Sequence, residues 1–456
     1  MNIERSTTYQ KLLNWKQTTN GTKALMIEGA RRIGKSTIAR KFGEQEYKSY
    51  VVIDFANVPK RITDNFSDNL NNLDVFYQTI SLEYNVKLYR RESLIIFDEI
   101  QKFPKAREAV KYLVADGRYD FIETGSLISI QENVADITIP SEERKIKMYP
   151  CDFEEFAKAR GEELLLEYIQ TCWQARKPLD EAFHSKAMRL FREYMLVGGM
   201  PQSIVAYIEN DCDFSTSDVE KRDIIALYQD DIKKASRRYK SKVSALFENI
   251  PGALSTHEKK IELTQFDSSG SATFAKYDEP LFWLNDSMMC NLCYKCNDPN
   301  VGFALNKNDS QVKCYMGDTG LLVSLAFNEN ELATNGLYRD IMNGKLSLNE
   351  GMIYENAVAQ MIRAKGKNLY FYNEYDREKH RNSMEIDFLL SNESKTNFKV
   401  CPIEVKSSKN YTTTSLTKFR EKFQGKIGNA FIIHPKMFSV ENDCIKIPPY
   451  MVWCAL

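Results

Sequence analysis

The eight residues Gly29-Ala-Arg-Arg-Ile-Gly34-Lys35-Ser36 constrain this chain more than any other stretch of it. They follow a short apolar run, Lys23-Ala-Leu-Met-Ile-Glu28, and lead into Ser36-Thr-Ile-Ala-Arg-Lys-Phe42, whose spacing predicts an amphipathic helix. Strand, glycine-bounded loop and helix in that order make a phosphate loop. The glycines let backbone N–H groups converge on phosphate oxygens at a helix N-terminus, where the dipole also favours negative charge. The predicted cradle runs through Gly29, Ala30, Arg31, Arg32, Ile33, Gly34, Lys35, Ser36 and Thr37. Lys35 is expected to neutralise the β- and γ-phosphates of ATP, and Ser36 to ligate Mg²⁺.

A second apolar run, Ser93-Leu-Ile-Ile-Phe97, ends in Asp98-Glu99, the acidic pair expected at the C-terminal edge of a neighbouring parallel strand. Asp98 is expected to hold Mg²⁺ through its water shell. Glu99 is placed to polarise the attacking water, which points to hydrolysis of ATP to ADP and phosphate rather than to binding alone. A third run, Tyr119-Asp-Phe-Ile-Glu-Thr124, ends in Gly125-Ser126. Thr124 or Ser126 is positioned there to sense a γ-phosphate, and an ordinary strand-end turn accounts for the same residues.

At 456 residues the chain is too long for one ordinary core and predicts about three units. Lys plus Arg number 62 and Asp plus Glu 62, so no global field draws in a polyanion, and any such site is local. The opening MNIERSTTYQKLL lacks the basic-then-apolar order of a signal peptide, and no apolar run approaches the ~20 residues of a membrane span. The expectation is a cytoplasmic protein without a membrane partner. Its ten cysteines form no disulfide-like framework and are expected as reduced thiols.

From Phe153 to about Asn210 apolar residues recur at three- and four-residue spacing, which predicts a helical lid or connector. Beyond it, Lys233-Lys-Ala-Ser-Arg-Arg-Tyr-Lys240 is the densest basic patch. It suits phosphate contact or a solvated helix face, and Asp230-Asp231 directly before it favour the latter. Cys290, Cys293 and Cys296 have metal-like spacing but lie in an apolar-rich stretch better explained by packing.

Near the C-terminus, Gly351–Ile362 has helical periodicity and carries Glu355, while Leu369-Tyr-Phe-Tyr, Glu385–Leu390 and Pro402-Ile-Glu404-Val-Lys406 read as strands. Alternation places Glu404 and Lys406 on one face, with Val405 expected in the core. Asp387 on the preceding strand is then expected to share a divalent ion with Glu404, and Lys406 to orient or deprotonate the attacking water. Mg²⁺ suits such an oxygen-only site.

The series GARRIGKST, LIIFDEIQK, ETGSL, MYPCDFEEF, Val197-Gly-Gly-Met-Pro201, Lys313-Cys-Tyr-Met-Gly-Asp-Thr-Gly320, Met384-Glu-Ile-Asp387 and Ile403-Glu-Val-Lys406 resembles a bacterial and archaeal group of AAA-type ATPases. In that group the phosphate-loop domain is fused to a C-terminal domain of unknown function with a restriction-endonuclease-like core. The resemblance implies an α/β chain of four parts: a parallel-sheet P-loop ATPase domain over 1–150, a helical lid or connector over 151–212, a winged-helix-like domain over 213–335, and a restriction-endonuclease-like α/β domain over 336–456. The order helix Glu355, strand Asp387, then Glu404-x-Lys406 resembles that superfamily's signature, which implies metal ligation by Glu355, Asp387 and Glu404 and a nucleic-acid partner, DNA ahead of RNA. An inherited nuclease fold used for binding satisfies the same residues. AAA-type relatives often form rings, which implies a homo-oligomer. Where relatives carry Gly-Arg, this chain has Glu143-Arg144, so Arg144 is an arginine-finger candidate or an exposed arginine beside a strand.

Overall fold

The computed structural model describes residues 3–126, 141–235, 238–256, 277–300, 302–327, 335–343, 350–376, 378, 381–392, 399–441 and 444–456. The chain divides into two compact units, one built on Arg5–Tyr149 and the other on Pro150–Asn285 with Met289–Leu456. No helix among the described residues is long and apolar enough to cross a membrane.

The first unit holds five strands, β1 (Ala24–Gly29), β2 (Ser49–Asp54), β3 (Ser93–Asp98), β4 (Asp120–Ser126) and β5 (Glu143–Lys147). They form one sheet in the order β2-β3-β4-β1-β5, every pair parallel. Parallel strands covered on both faces read as unbroken apolar runs, and β1 and β3 are buried at every position. Helices Lys35–Glu46, Lys60–Asp68, Leu73–Glu83 and Pro104–Asp116 supply the cover. On one face Phe55, Phe66, Phe76 and Phe97 interlock edge to face around Ile62, Ile95 and Val110. The consequence for function is the place of β4. It lies between β1, which feeds the glycine loop, and β3, which ends in Asp98, so Thr124 stands between the two motifs.

In the second unit, helices Phe153–Ala159, Glu163–Gln174, Glu181–Val197 and Pro201–Glu209 fill the stretch whose spacing predicts helix. Asp152 and Asp180 cap two of them by accepting from main-chain N–H groups in the first turn. The strands are β6 (Cys290–Cys296), β7 (Lys307–Met316), β8 (Leu369–Asp376), β9 (Arg381–Ile386), β10 (Phe388–Asn392), β11 (Lys399–Val405), β12 (Ala430–Ile433), β13 (Ser439–Glu441) and β14 (Cys444–Ile447). One sheet runs β7-β6-β8-β9 and another β10-β11-β12-β14-β13. β9 and β10 are interrupted only at Asp387. The antiparallel pair β6 and β7 continues through the parallel pairing of β6 with β8, so main-chain hydrogen bonds cross position 335, where sequence alone suggests a boundary.

Two glycine turns from the sequence are one joint here. Gly199 N–H donates to Asp318, whose carboxylate also accepts from Leu321 N at 3.0 Å and Gln360 Nε2 at 3.1 Å. Gly198 has φ +82°, and a Cβ on it would lie 2.3 Å from Asp318 Oδ1. The Gly-Gly-Met-Pro and Asp-Thr-Gly sequences therefore exist to let two backbones touch across a buried carboxylate.

Candidate functional site

The glycine loop leaves β1 at Gly29 and enters the helix Lys35–Glu46 through Gly34, whose φ of +88° is the left-handed entry that a Cβ would oppose. Arg32 also takes a positive φ of 65°, which turns the loop back on itself. Lys35 is buried, with Nζ donating to Gly29 O at 3.0 Å and Ala30 O at 2.8 Å. Its ammonium thus sits inside the curl of its own loop, where phosphate oxygens of ATP would compete for the same donors. Burial lowers the Lys35 pKa to about 8, against the opposing pull of Glu99 and Asp98. A triphosphate restores the charged form. Binding ATP at about pH 8 should therefore take up about half a proton per site, and the uptake should vanish toward pH 6, where the lysine is already charged. Calorimetry in buffers of different ionisation heat measures this, and uptake that is unchanged between the two pH values would contradict it.

Asp98 is buried at the end of β3 and gathers three partners. Ser36 Oγ donates to its Oδ1 at 2.6 Å, Thr124 Oγ1 donates to the same oxygen, and Arg40 Nη2 lies 3.7 Å from Oδ2. The serine that should ligate Mg²⁺ and the aspartate that should hold its water shell are thus adjacent, and this oxygen-rich pair fits a magnesium ion. Thr124 is the residue that β4 brings to this point, while Ser126 pairs with Gly29 two residues farther along. Glu99 follows with φ +53°, an uncommon conformation for glutamate, and Gln101 Nε2 donates to its Oε2. Such outliers concentrate at functional sites. Arg40 and Gln101 escaped the sequence reading; the only signal for either was its distance from a motif residue, Gln101 two after Glu99 and Arg40 one helical turn after Ser36.

The profile of an AAA domain matches residues 21–157, and it spans both motifs and the strand between them. The first unit is a P-loop ATPase domain of the AAA type. Two further profiles match parts of the second unit, a domain of unknown function (DUF8612) over 188–332 and another (DUF4143) over 350–451. No curated protein matches. Among solved structures, a katanin self-assembly structure shares 17% identity over 35% of this chain and 55% of its own, with a TM-score of 0.22. The Hsp104–ADP complex of S. cerevisiae shares 12% over 80% and 44%, with a TM-score of 0.28. Domain III of the replication initiation protein DnaA from Thermotoga maritima shares 14% over 49% and 99%, with a TM-score of 0.23. The chain spans about half the length of the katanin and Hsp104 chains. Scores this low add no weight to the AAA assignment, which stands on the profile match and the geometry of the loop.

Arg144 lies on the exposed side of β5 and donates to Thr18 Oγ1 at 2.9 Å, so a contact within the AAA domain accounts for it. In the second unit, Lys233 and Lys234 pair with Asp230 at 2.7 Å and Asp231 at 2.9 Å, while Ser236 and Arg237 of the basic stretch lie outside the described residues. Cys290 and Cys293 sit three apart on β6, so they project to opposite faces and pack rather than converge.

The C-terminal residues do come together, around a side chain that the sequence reading did not single out. Lys313 of β7 is fully buried, with Nζ 2.8 Å from Glu385 Oε1, 3.4 Å from Glu355 Oε1 and 3.8 Å from Asp387 Oδ1. Tyr315 OH donates to the same Glu355 oxygen, and Asp387 Oδ2 accepts from Val405 N at 2.8 Å. Desolvation works against the Lys313 charge, yet Glu355, Glu385 and Asp387 together hold its pKa well above the ordinary lysine value. Lys406 Nζ is 3.2 Å from Glu404 Oε2, as strand alternation predicts. The expected exposure is reversed, however: Glu404 is 1% exposed and Val405 is half-buried. Val400, on the same face of β11 as Glu404, packs with Leu416 and Phe419 of helix Thr414–Lys422, so that face is covered. Neither oxygen of Glu404 has a well-directed hydrogen bond, and burial pushes its pKa up to about 7, against the pull of Lys406. Among the described residues, no three His, Cys, Asp or Glu side chains are disposed to hold a metal ion.

Proposed function

We propose that this chain hydrolyses ATP in its AAA domain and uses the nucleotide state to control a second unit with a restriction-endonuclease-like core that engages nucleic acid, DNA ahead of RNA. The observation that carries the ATPase half is the convergence of Ser36, Thr124 and Asp98 beside Lys35, with Glu99 one residue on. The loop amides and Lys35 hold the phosphates, and Thr124 reports their presence to Asp98. Glu99, held by Gln101, takes the proton of the attacking water. Magnesium, bound at Ser36 and Asp98, would neutralise charge developing on the β- and γ-oxygens. Assembly into a homo-oligomer belongs to the same proposal, as AAA-type ATPases commonly act as rings.

For the second unit, support comes from element order: helix Glu350–Ala364, antiparallel β8 and β9, antiparallel β10 and β11, helix Thr414–Lys422, then β12 parallel to β11. Asp387 at the break between β9 and β10, and the Glu404–Lys406 pair at the end of β11, support the same reading. A reading in which this unit binds without cutting is favoured by one observation, the ammonium of Lys313 among the carboxylates. The coupling is tested by fluorescence anisotropy of labelled duplex DNA and RNA with the slow variant Glu99→Gln, saturated with ATP or with ADP. Affinities differing by roughly 5–150-fold between the two states are expected. Equal affinities, or no binding in either state, would remove the coupling from the proposal and leave the ATPase untouched.

A further inference from the structure

A divalent ion shared by Glu355, Asp387 and Glu404 needs carboxylate oxygens turned toward one open position, at about 2.0–2.1 Å for Mg²⁺. Among the described residues the second unit does not offer one. Glu355 directs Oε1 to Lys313 and Tyr315, Asp387 directs one oxygen to Val405 N and the other toward Lys313, and Glu385 makes the shortest of the three approaches to the lysine. The lysine is no surface visitor. It lies wholly out of solvent on β7, with Nζ 5.1 Å from the centroid of the Phe371 ring. An ion beside it would bring two positive charges against an ammonium already committed to the same oxygens.

We propose that Lys313 is the resident cation of this cluster: its tethered ammonium holds the position between Glu355, Glu385 and Asp387 that a catalytic metal would require, so the second unit works without a divalent ion there and does not cleave phosphodiesters. The proposal rests on the endonuclease-like reading of this unit only for its last clause. The first clause stands on the three distances alone. It also gives a physical role to the first residue of the Lys-Cys-Tyr-Met-Gly-Asp-Thr-Gly run. Two residues apart on one strand, Lys313 and Tyr315 face the same way, and both meet the same oxygen of Glu355.

The test uses the full chain, free of nucleotide, carrying Asp98→Asn to remove the ATP-site metal, and titrates Mn²⁺ by electron paramagnetic resonance. With Lys313 intact, no bound Mn²⁺ that depends on Asp387 or Glu355 is expected at millimolar metal. Lys313→Met should gain one Mn²⁺ site, seen also as a metal-dependent rise in melting temperature, and should lose it again with Asp387→Asn. A Mn²⁺ site in the Lys313-intact protein that Asp387→Asn abolishes would overturn the proposal, as would a folded Lys313→Met protein that gains none. Should Lys313→Met fold only in the presence of Mn²⁺, the ion has replaced the ammonium, as proposed. Should it not fold at all, the Lys313-intact titration decides. DNA binding with and without excess chelator separates the two ideas: absence of binding in both conditions counts against the proposed function and leaves Lys313 to the Mn²⁺ titration, whereas binding that chelator abolishes counts against a second unit that works without a divalent ion. Cleavage of DNA or RNA that requires Mg²⁺ and disappears in Lys406→Ala would defeat the non-cleaving clause.

Discussion

Glu99→Gln should still bind ATP and should hydrolyse it roughly 10²–10⁴-fold more slowly, the range by which a positioned general base accelerates proton transfer. The substitution keeps size and hydrogen-bonding capacity, so Gln101 retains a partner and the φ of +53° at residue 99 remains as accessible as before. What disappears is the lone pair that accepts a proton at neutral pH. Lys35→Ala separates a different function. Its ammonium is the one buried cation that the loop encloses, and its loss removes the counter-charge for the β- and γ-phosphates, so binding itself should fail. Nucleotide binding by a fluorescent ATP analogue and single-turnover phosphate release distinguish the two. If Glu99→Gln turned over at the wild-type rate, the base would have to be another residue. If Lys35→Ala bound ATP as tightly as wild type, the glycine loop would not be the phosphate site.

The difference between these two variants was legible in the sequence because both motifs are local. A glycine loop between an apolar run and a helix encodes its own geometry in eight consecutive residues, and an acidic pair ending an apolar strand encodes its position at the strand edge. Thr124 was half legible. Its place at a strand end showed in the sequence, but its contact with Asp98 depends on β4 lying between β1 and β3, a long-range pairing that no local pattern records.

The C-terminal cluster shows the limit more sharply. Strand alternation correctly set Glu404 and Lys406 on one side, but that face of β11 is covered where Val400 packs with Leu416 and Phe419 of helix Thr414–Lys422, a tertiary contact that alternation does not record, so Glu404 is buried and Val405 only half-buried. Lys313 could not be found by the same means. It lies 42 residues before Glu355 and 74 before Asp387, and its run of neighbours, Val312 to Met316, reads as an apolar strand with one charge in it. Only the sheet order β7-β6-β8-β9 brings it near the carboxylates. A buried lysine inside an apolar strand is itself a signal, since a charge in that setting persists only when paired.

Asp318→Ala should destabilise the second unit by roughly 3–5 kcal/mol, read as a lower urea midpoint of its unfolding transition, although Asp318 touches neither the ATP site nor the Lys313 cluster. Its carboxylate is 1% exposed and accepts from Gly199 N, Leu321 N and Gln360 Nε2. Burial pushes its pKa above the ordinary aspartate value, and those same amides pull the other way, so the donors are what keep the charge in place. Alanine leaves them facing a cavity, and each stranded donor costs about 1–3 kcal/mol. Asp318→Asn should cost less for Leu321, where its amide oxygen still accepts, but its NH₂ then takes the place of Oδ2 and faces both Gly199 N and Gln360 Nε2, donor against donor. Gly198→Ala attacks the same joint from the other side, because its Cβ would stand 2.3 Å from Asp318 Oδ1 at a φ of +82°. If the joint is what holds helix Glu181–Val197 against helix Thr319–Ala326, combining Asp318→Ala with Gly198→Ala should cost somewhat less than the sum of the two, since the first substitution removes the nearest of the atoms with which the second collides and leaves the Gly320 backbone at 2.8 Å. Strict additivity of the two unfolding free energies would mean that these turns act independently, and that their shared contact does not explain why both carry glycine.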